Sequence, residues 1–514
     1  MTRSSGVWIL LATILGSSMV FIDTSVVNVA LPAIQLELNA TATGIQWVVE
    51  SYALFLAALM LVGGAMGDMF GRKRVFALGI VIFALASAWS GFAPNITQLT
   101  AARAVQGIGG ALLTPGSLAI IRASFSEEQQ GQAIGLWSGF SAITAAFGPV
   151  MGGWLVQHAS WRWVFFINIP LAIIVLVVSQ WHVPESCNQQ RGDRLDWPGA
   201  LLATTGLGAL VYGLIESNNL GLGNPIVLGT VISGIAALIA FIFVEAHSPT
   251  PMMPLGLFRS RTFSGTNLLT FLLYAALSGT LFFFPFNLIS VQGYSPTAAG
   301  AALLPFTLLM FLLSRWSGGL VHRYGSRLPL VVGPLIAAAG FLLFARVGLG
   351  GSYWTTFFPA VLVLGLGMSI TVAPLTTAVL GAVEESHAGT ASGINNAVSR
   401  LAGLMAIAVL SIFLLQAFNH NLNQRLDSPQ LNPEARRILE QQRNKFVGIE
   451  IPGNVSNETR SAIRQTVDEA FVFGFRLVML IGSGLAITGA FCALLLVSPR
   501  GKADQPDKQE EKHI

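Results

Sequence analysis

Apolar stretches long enough to cross a bilayer return from one end of this chain to the other, each separated from the next by a short polar or Gly/Pro turn. A helix needs about 20 apolar residues to span the hydrocarbon core. That rule predicts fourteen spans, near residues 7–35, 45–67, 75–93, 97–120, 132–156, 163–183, 198–217, 225–246, 263–291, 297–320, 328–346, 353–380, 388–417 and 470–497. The charge supply agrees: only 10 % of the 514 residues are charged, against ~25 % in a soluble protein. Of the 52 charged residues, 14 lie between Arg425 and Glu469 and another 8 follow from Arg500 onward. The remainder cannot cover a water-facing surface, which excludes a soluble enzyme.

Lys and Arg in short loops set the orientation of such a chain. With the N-terminus inside, the inner loops hold Arg3, Arg72, Lys73, Arg74, Arg122, Arg191, Arg194, Arg259, Arg261, Arg323 and Arg327, and the short outer loops only Arg162 and Arg346. Both termini are therefore expected in the cytoplasm, and the polar segment 418–469 outside. Its balanced charge does not oppose this, because long loops translocate largely regardless of charge. The first apolar run continues to Leu31-Pro32, past the core of a signal peptide, and is read as a span. The expected location is a plasma or bacterial inner membrane, crossed many times. Cys187 in a cytoplasmic loop and Cys492 in the last span cannot pair with each other.

Several chemistries find no support. The sequence has no G-x-x-x-x-G-K-[ST] loop for ATP. Its seven histidines sit in loops or near span ends without metal-ligand spacing, and no nucleophile and base cluster within a span. No cofactor and no metal is expected, and no nucleic-acid partner. A membrane-embedded enzyme stays as a remote alternative.

Gly and Pro are more informative. Gly148-Pro149-Val150-Met151-Gly152-Gly153 in the fifth span combines a helix breaker with residues that admit close helix contact, and describes a bent, tightly packed helix. The loop after the second span reads Gly64-Ala65-Met66-Gly67-Asp68-Met69-Phe70-Gly71-Arg72-Lys73-Arg74. There the glycines allow tight turning, Asp68 is placed to cap a helix start, and the basic run anchors the cytoplasmic side. Gly318, His322, Gly325 and Arg327 repeat this spacing 254 residues later, with His322 in place of Asp68 and Ser326 in place of Arg72. An internal repeat of this kind is expected of a transporter built from two halves.

With these motifs the chain resembles the major facilitator superfamily, and within it the fourteen-span drug:proton antiporter branch. Asp23-Thr24-Ser25-Val26-Val27-Asn28-Val29-Ala30-Leu31-Pro32 is similar to that branch's first-helix signature. Gly64 to Arg74 resembles the superfamily's cytoplasmic loop motif, and Arg103-Ala104-Val105-Gln106-Gly107-Ile108-Gly109-Gly110 the fourth-helix arginine motif. Gly148 to Gly153 is similar to the antiporter motif of the fifth helix, with Thr144 at its usual leading Gly. Weaker echoes are Trp161-Arg162-Trp163 through Asn168-Ile169-Pro170, and Ser392-Gly393-Ile394-Asn395-Asn396. The resemblance implies an all-α membrane fold of two six-helix bundles plus two inserted helices. Its expected parts are residues 1–184, an insertion at 185–262, a second bundle over 263–498 that includes the outer loop 418–469, and a cytoplasmic tail at 499–514.

Ionisable residues inside spans are costly and mark function. At ~1.5 Å per residue, Asp23, Glu50 and Arg103 all fall in the outer half of the first bundle, where their protonation is expected to be coupled. Asp23 is expected to carry the proton, with Arg103 tuning it, as the matched motifs also imply. A static ion pair between spans one and four is the competing reading. Glu50 departs from the family pattern, and its role stays open among a second proton site, a contact for cationic substrates and a solvated acid. Arg400, in span thirteen, is either structural or a cavity charge. Trp137, Phe140, Tyr274 and Phe284 are candidate walls of an apolar substrate cavity, and Asn267 and Asn287 candidate polar contacts. The outer segment is expected to be partly helical from Pro433 to Lys445, and either covers the mouth, docks a partner or is a tolerated loop.

The function expected is proton-driven export of lipophilic or cationic drug-like compounds by alternating access. Export of a lipid, siderophore, sugar or other metabolite is the alternative, and a non-transporting sensor a remote one. The expected partners are a small-molecule substrate and the lipid bilayer. A periplasmic adaptor with an outer-membrane channel stays open.

Overall fold

The computed structural model describes residues 3–187, 196–249, 251–384, 388–426, 433–452 and 455–499. Arg191, Arg194 and the tail beyond residue 499 lie outside the described residues. The first half comprises α1 (Arg3–Glu37), α2 (Ala42–Phe70), α3 (Arg72–Phe92), α4 (Ile96–Ser124), α5 (Glu127–His158), α6 (Trp163–Phe166) and α7 (Asn168–His182). A hairpin follows, α8 (Trp197–Leu220) and α9 (Pro225–His247). The second half holds α10 (Arg261–Phe286), α11 (Pro296–Ala301), α12 (Leu304–Tyr324), α13 (Arg327–Phe344), α14 (Tyr353–Thr356), α15 (Phe358–Gly381), α16 (Ala388–Leu426), α17 (Pro433–Gln441) and α18 (Asn457–Leu496).

Among the described residues, thirteen helices are long and apolar enough to cross a membrane, and no strand occurs. The remaining expected span falls on α5, whose 32 residues have spanning length and some of whose side chains are outside the described set. Three expected spans are broken where proline dictates. Pro170 has no N–H to bond back to Phe166 and separates α6 from α7; Pro305 does the same between α11 and α12. Pro359 likewise has no N–H to bond back to Thr355 at the break between α14 and α15.

The halves pack alike. Gly79 of α3 and Gly109 of α4 bring their helices so close that a Cβ on Gly109 would stand 2.5 Å from the Phe83 nitrogen. In the second half, a Cβ on Gly367 of α15 would stand 2.4 Å from the Ala337 nitrogen of α13, opposite Gly333. Gly333 and Ala337 lie 254 residues beyond Gly79 and Phe83, the same offset as the loop repeat. Gly109→Val forces this seam apart at about 1–3 kcal/mol, and the detergent-solubilised protein is expected to melt at a lower temperature in a thermal-shift assay.

The loop repeats also occupy equivalent places. Gly71 and Gly325 both turn at positive φ, 105° and 74°. The first loop rests on the chain just after α7: Arg72 N donates to the Ser186 carbonyl at 2.9 Å, and Lys73 N to Glu185 at 3.0 Å. The second rests just after α18, where Arg327 Nε donates to the Val497 carbonyl at 2.6 Å. Asp68 does not cap α3. It lies in the last turn of α2 and accepts from Arg72 Nε at 3.0 Å, because α2 runs on to Phe70 and leaves Gly71 as the cap.

The outer segment is more helical than expected. Phe418, Leu422 and Leu426 continue a buried i, i+4, i+8 stripe, and carry α16 nine residues past its predicted end. Ile463, Val467 and Phe471 likewise start α18 before the predicted span. Between them Phe446, at φ 58°, sits between the rings of Phe418 and Phe471, with centroids 4.9 and 5.1 Å away. The segment reaches the first half through Gln35 of α1, whose Nε2 donates to the Lys445 carbonyl at 2.8 Å.

The contacts described between the halves lie toward the outer side. A Cβ on Gly153 of α5 would stand 2.2 Å from the Pro296 carbonyl oxygen, and one on Gly300 of α11 2.0 Å from that of Pro149. Gln46 of α2 donates to the Ile407 carbonyl of α16 at 3.3 Å. Toward the cytoplasm, Gly135 and Gly139 of α5, Gly318 and Gly319 of α12, and Gly393 of α16 face open space. No hydrogen bond joins the halves there among the described residues. The bundle is closed outside and parted inside.

Candidate functional site: a buried acid network in the first half

Asp23, Arg103 and Gln106 share one buried cluster. Asp23 stands on α1 with no exposed surface, and Arg103 on α4 with 1 % exposed. Arg103 NH1 donates to Asp23 Oδ2 at 2.5 Å and to Gln106 Oε1 at 2.8 Å. Gln106 follows Arg103 by three residues, so helical spacing puts both on one face of α4. Its Nε2 donates to Asp23 Oδ1 at 2.7 Å, and Asn168 of α7 donates to the same oxygen at 3.3 Å. Ser87 of α3 accepts from Asn168 at 3.0 Å and donates to the Phe165 carbonyl at 2.8 Å.

The guanidinium is held from its other side as well. Arg103 Nε donates to the Val48 carbonyl of α2 at 3.2 Å, and the group lies over the Tyr52 ring at 4.1 Å from its centroid, an arrangement that favours a cation. Both carboxylate oxygens and the guanidinium thus have partners from α1, α2, α4 and α7. A buried ion pair survives only when its remaining hydrogen-bonding capacity is met in this way. A proton arriving at Asp23 would cancel the attraction and release the grip of α4 on α1.

Glu50 does not join this cluster. It is fully buried on α2, and neither carboxylate oxygen has a hydrogen-bond partner. One turn outward Gln46 bonds to Ile407, and one turn inward Leu54 packs with Leu404 and Ala408 of α16. Helical spacing therefore puts Glu50 on the stripe that meets the second half. Arg400 of α16 is half-buried and feels Tyr52 across the same seam.

The conformational motifs build the outer contact. A Cβ on Gly148 would stand 1.9 Å from Ser25 Oγ, and one on Gly152 2.7 Å from Val26, so these two press α5 onto α1. Gly153 and Pro149 press the other face of α5 onto α11. At the cytoplasmic loop, a Cβ on Gly64 would stand 3.5 Å from the Pro115 side chain of α4, and Arg72 is tied to Asp68.

The expected cavity residues do not form one wall. Trp137 donates to Ser17 at 3.0 Å and Phe140 is exposed, both on the parted half of α5. Asn267 is buried on α10 and accepts from Asn395 of α16 at 3.1 Å, while Tyr274 is half-buried two turns further on. Phe284 lies in an aromatic core with Phe344 and Phe357, at 5.3 and 5.8 Å. Asn287 is buried beside it, at the outer end of α10.

Sequence reasoning passed over Ser87 and Tyr52, and quoted Gln106 and Asn168 without giving them a role. Gln106 carried a usable signal, three residues after the intramembrane arginine. Among the described residues no group of three or more His, Cys, Asp or Glu stands close enough to hold a metal.

Two helical halves with equivalent seams, closed at one face and parted at the other, define a membrane transporter of the alternating-access architecture. The chain belongs to the Major Facilitator Superfamily, which it matches over residues 13–407, and is a multi-pass membrane protein. It is 33% identical over 495 residues to the multidrug resistance protein Stp of Mycobacterium tuberculosis, covering 92% of this chain and 89% of that one. It is 31% identical over 494 residues to the tetracenomycin C resistance and export protein of Streptomyces glaucescens, covering 94% and 90%. Among solved structures, a bacterial homolog of the human lysosomal transporter Spinster, inward-facing and occupied, aligns with TM-score 0.67 at 17% identity over 99% of this chain and 100% of that one. The inward-open xylose transporter XylE of E. coli aligns with TM-score 0.58 at 14% identity, covering 95% and 96%. These two likenesses concern the fold.

Proposed function

We propose that this transporter exports lipophilic or cationic drug-like compounds in exchange for protons. The observation that carries the reading is Asp23, an acid with no exposed surface whose three hydrogen-bond partners come from two other helices, α4 and α7. An acid kept at such cost inside a membrane bundle serves ion coupling more readily than packing. The relatives named for multidrug resistance and for tetracenomycin C export support the substrate class. In this reading Asp23 takes the proton, Arg103 sets how readily it does so, and the proton gradient is the energy source without any cofactor. The substrate enters where the halves part, past Trp137 and Phe140 toward Arg400 and Asn267. A small-molecule substrate and the bilayer are the partners the reading requires.

The test is export from inverted membrane vesicles of an efflux-deficient bacterium expressing the chain. Dye cations such as ethidium are expected to accumulate when a proton gradient is imposed, and to leak back when a protonophore is added. Accumulation that survives the protonophore excludes proton coupling. Gradient-driven uptake of a lipid or sugar, with none of any dye, replaces the substrate class.

A further inference from the structure

Both oxygens of Glu50 are buried without a partner at the seam that closes the outer face. The charges on the helices around it are engaged elsewhere or lie apart. On α4, Arg103 is held by Asp23 of α1, Gln106 and the Val48 carbonyl. On α8, Glu216 accepts from Trp47 and Asn219. On α16, Arg400 is near Tyr52, and Arg425 pairs with Glu469 far outside. At the outer end, Glu37 of α1 pairs with Arg162, and Arg443 and Lys445 bond to Asn419 and Glu450. At the cytoplasmic ends, Arg72 of α3 pairs with Asp68 and Arg74 with Glu185, Lys73 donates to the Gln180 carbonyl, and Arg122 lies in the last turn of α4.

An ionised carboxylate without a partner is among the most expensive groups to enclose, whereas the neutral acid costs far less. When the outer seam parts, the same side chain meets water and ionises freely. We propose that Glu50 is a proton lock on the outer gate: the halves close over it only when its carboxyl carries a proton. This rests on the exporter reading for the cycle it serves, but the lock itself needs neither substrate nor gradient. The proton binds from the outer water as the gate closes and returns there when it reopens. Asp23, already satisfied by Arg103, performs the coupling. The lock therefore makes the conformation depend on outer pH without adding a transported proton.

The experiment is a distance measurement on the full chain in nanodiscs, with Cys187→Ser and Cys492→Ser removing the native thiols. Spin labels go on Thr97→Cys and Thr355→Cys, which are exposed at the outer ends of the two halves. Without drug or gradient, the outer distance is expected to lengthen as pH rises. The closed-to-open ratio should fall about tenfold per pH unit in the titrating range, as linkage of one proton requires. Glu50→Gln is expected to stay closed across the range.

A Glu50→Gln protein that titrates with the parent's slope overturns the proposal, and so does a parent whose distance ignores pH. If Glu50→Gln does not assemble, Glu50→Asp carries the test: a displaced midpoint supports the lock and an unchanged one overturns it. Loss of vesicle export with an intact Glu50 titration defeats the exporter reading and leaves the lock standing.

Discussion

Asp23→Asn is expected to abolish uphill export while leaving the bundle assembled. An amide keeps the side chain's volume and one oxygen to accept, either from Arg103 or from Gln106 and Asn168, so the network loses its charge and one acceptor but not its packing. What it cannot do is alternate between a form that grips the guanidinium and one that does not. The expected effect is large. A gradient of two pH units supplies about 2.7 kcal/mol per proton, which supports a concentration ratio of about 100-fold for each proton exchanged for a monovalent dye cation. In Asp23→Asn vesicles that ratio should collapse to about one, while downhill exchange of labelled for unlabelled dye continues. Asp23→Ala makes the contrast: removing one partner of a buried pair costs about 3–5 kcal/mol, and this variant is expected to lose yield as well as export. Full gradient-driven accumulation by Asp23→Asn would leave the network as a structural clamp between α1 and α4.

The second large effect is expected at the outer seam. Gly153→Leu would put a Cβ 2.2 Å from the Pro296 carbonyl oxygen, and the obstacle is backbone that cannot turn aside. Overpacking of this kind costs about 1–3 kcal/mol, and here the cost falls only on the conformation in which α5 meets α11. A bias of that size shifts a two-state equilibrium about 5–150-fold, toward the outward-open form. A cysteine at Gln46, buried at the closed seam, reports the shift in a background without the native thiols. Its reaction with a membrane-impermeant maleimide should quicken by that factor in Gly153→Leu, and export should fail. Gly229→Leu on α9 meets nothing within 4 Å and should match the parent in both assays. Equal labelling rates in the two variants would show that the seam does not gate the outer face.

The membrane made much of this fold legible. A bilayer demands about 20 apolar residues per crossing, so span number and direction could be read from runs and loop charges. The acid and the arginine inside those runs stood out because hydrocarbon tolerates so few. Their uncharged partners did not stand out. Ser87, Asn168 and Tyr52 are unremarked polar residues in apolar helices, and only the packing of α7 on α1 and α3 brings Asn168 to Asp23 and Ser87 to Asn168. The outer segment misled for the opposite reason. Its charges hide the stripe of Phe418, Leu422 and Leu426, which is buried against protein and so needs no continuous apolar run. Asp68 was misplaced by a single turn of helix, because a capping residue is recognisable only once the helix end is known.

The outer seam and the inner opening are made of different material. At the seam, main chain rests on main chain, glycine against a proline carbonyl on both sides. Around the opening, side chains such as Phe140 and Trp137 do the lining. Substitution rewrites a side chain at one codon but cannot rewrite a carbonyl. Under selection by new toxic compounds, variants with altered drug preference should therefore accumulate in the lining. The glycine seam should return only inactive alleles, so that the gate is inherited whole while the appetite of the pump drifts.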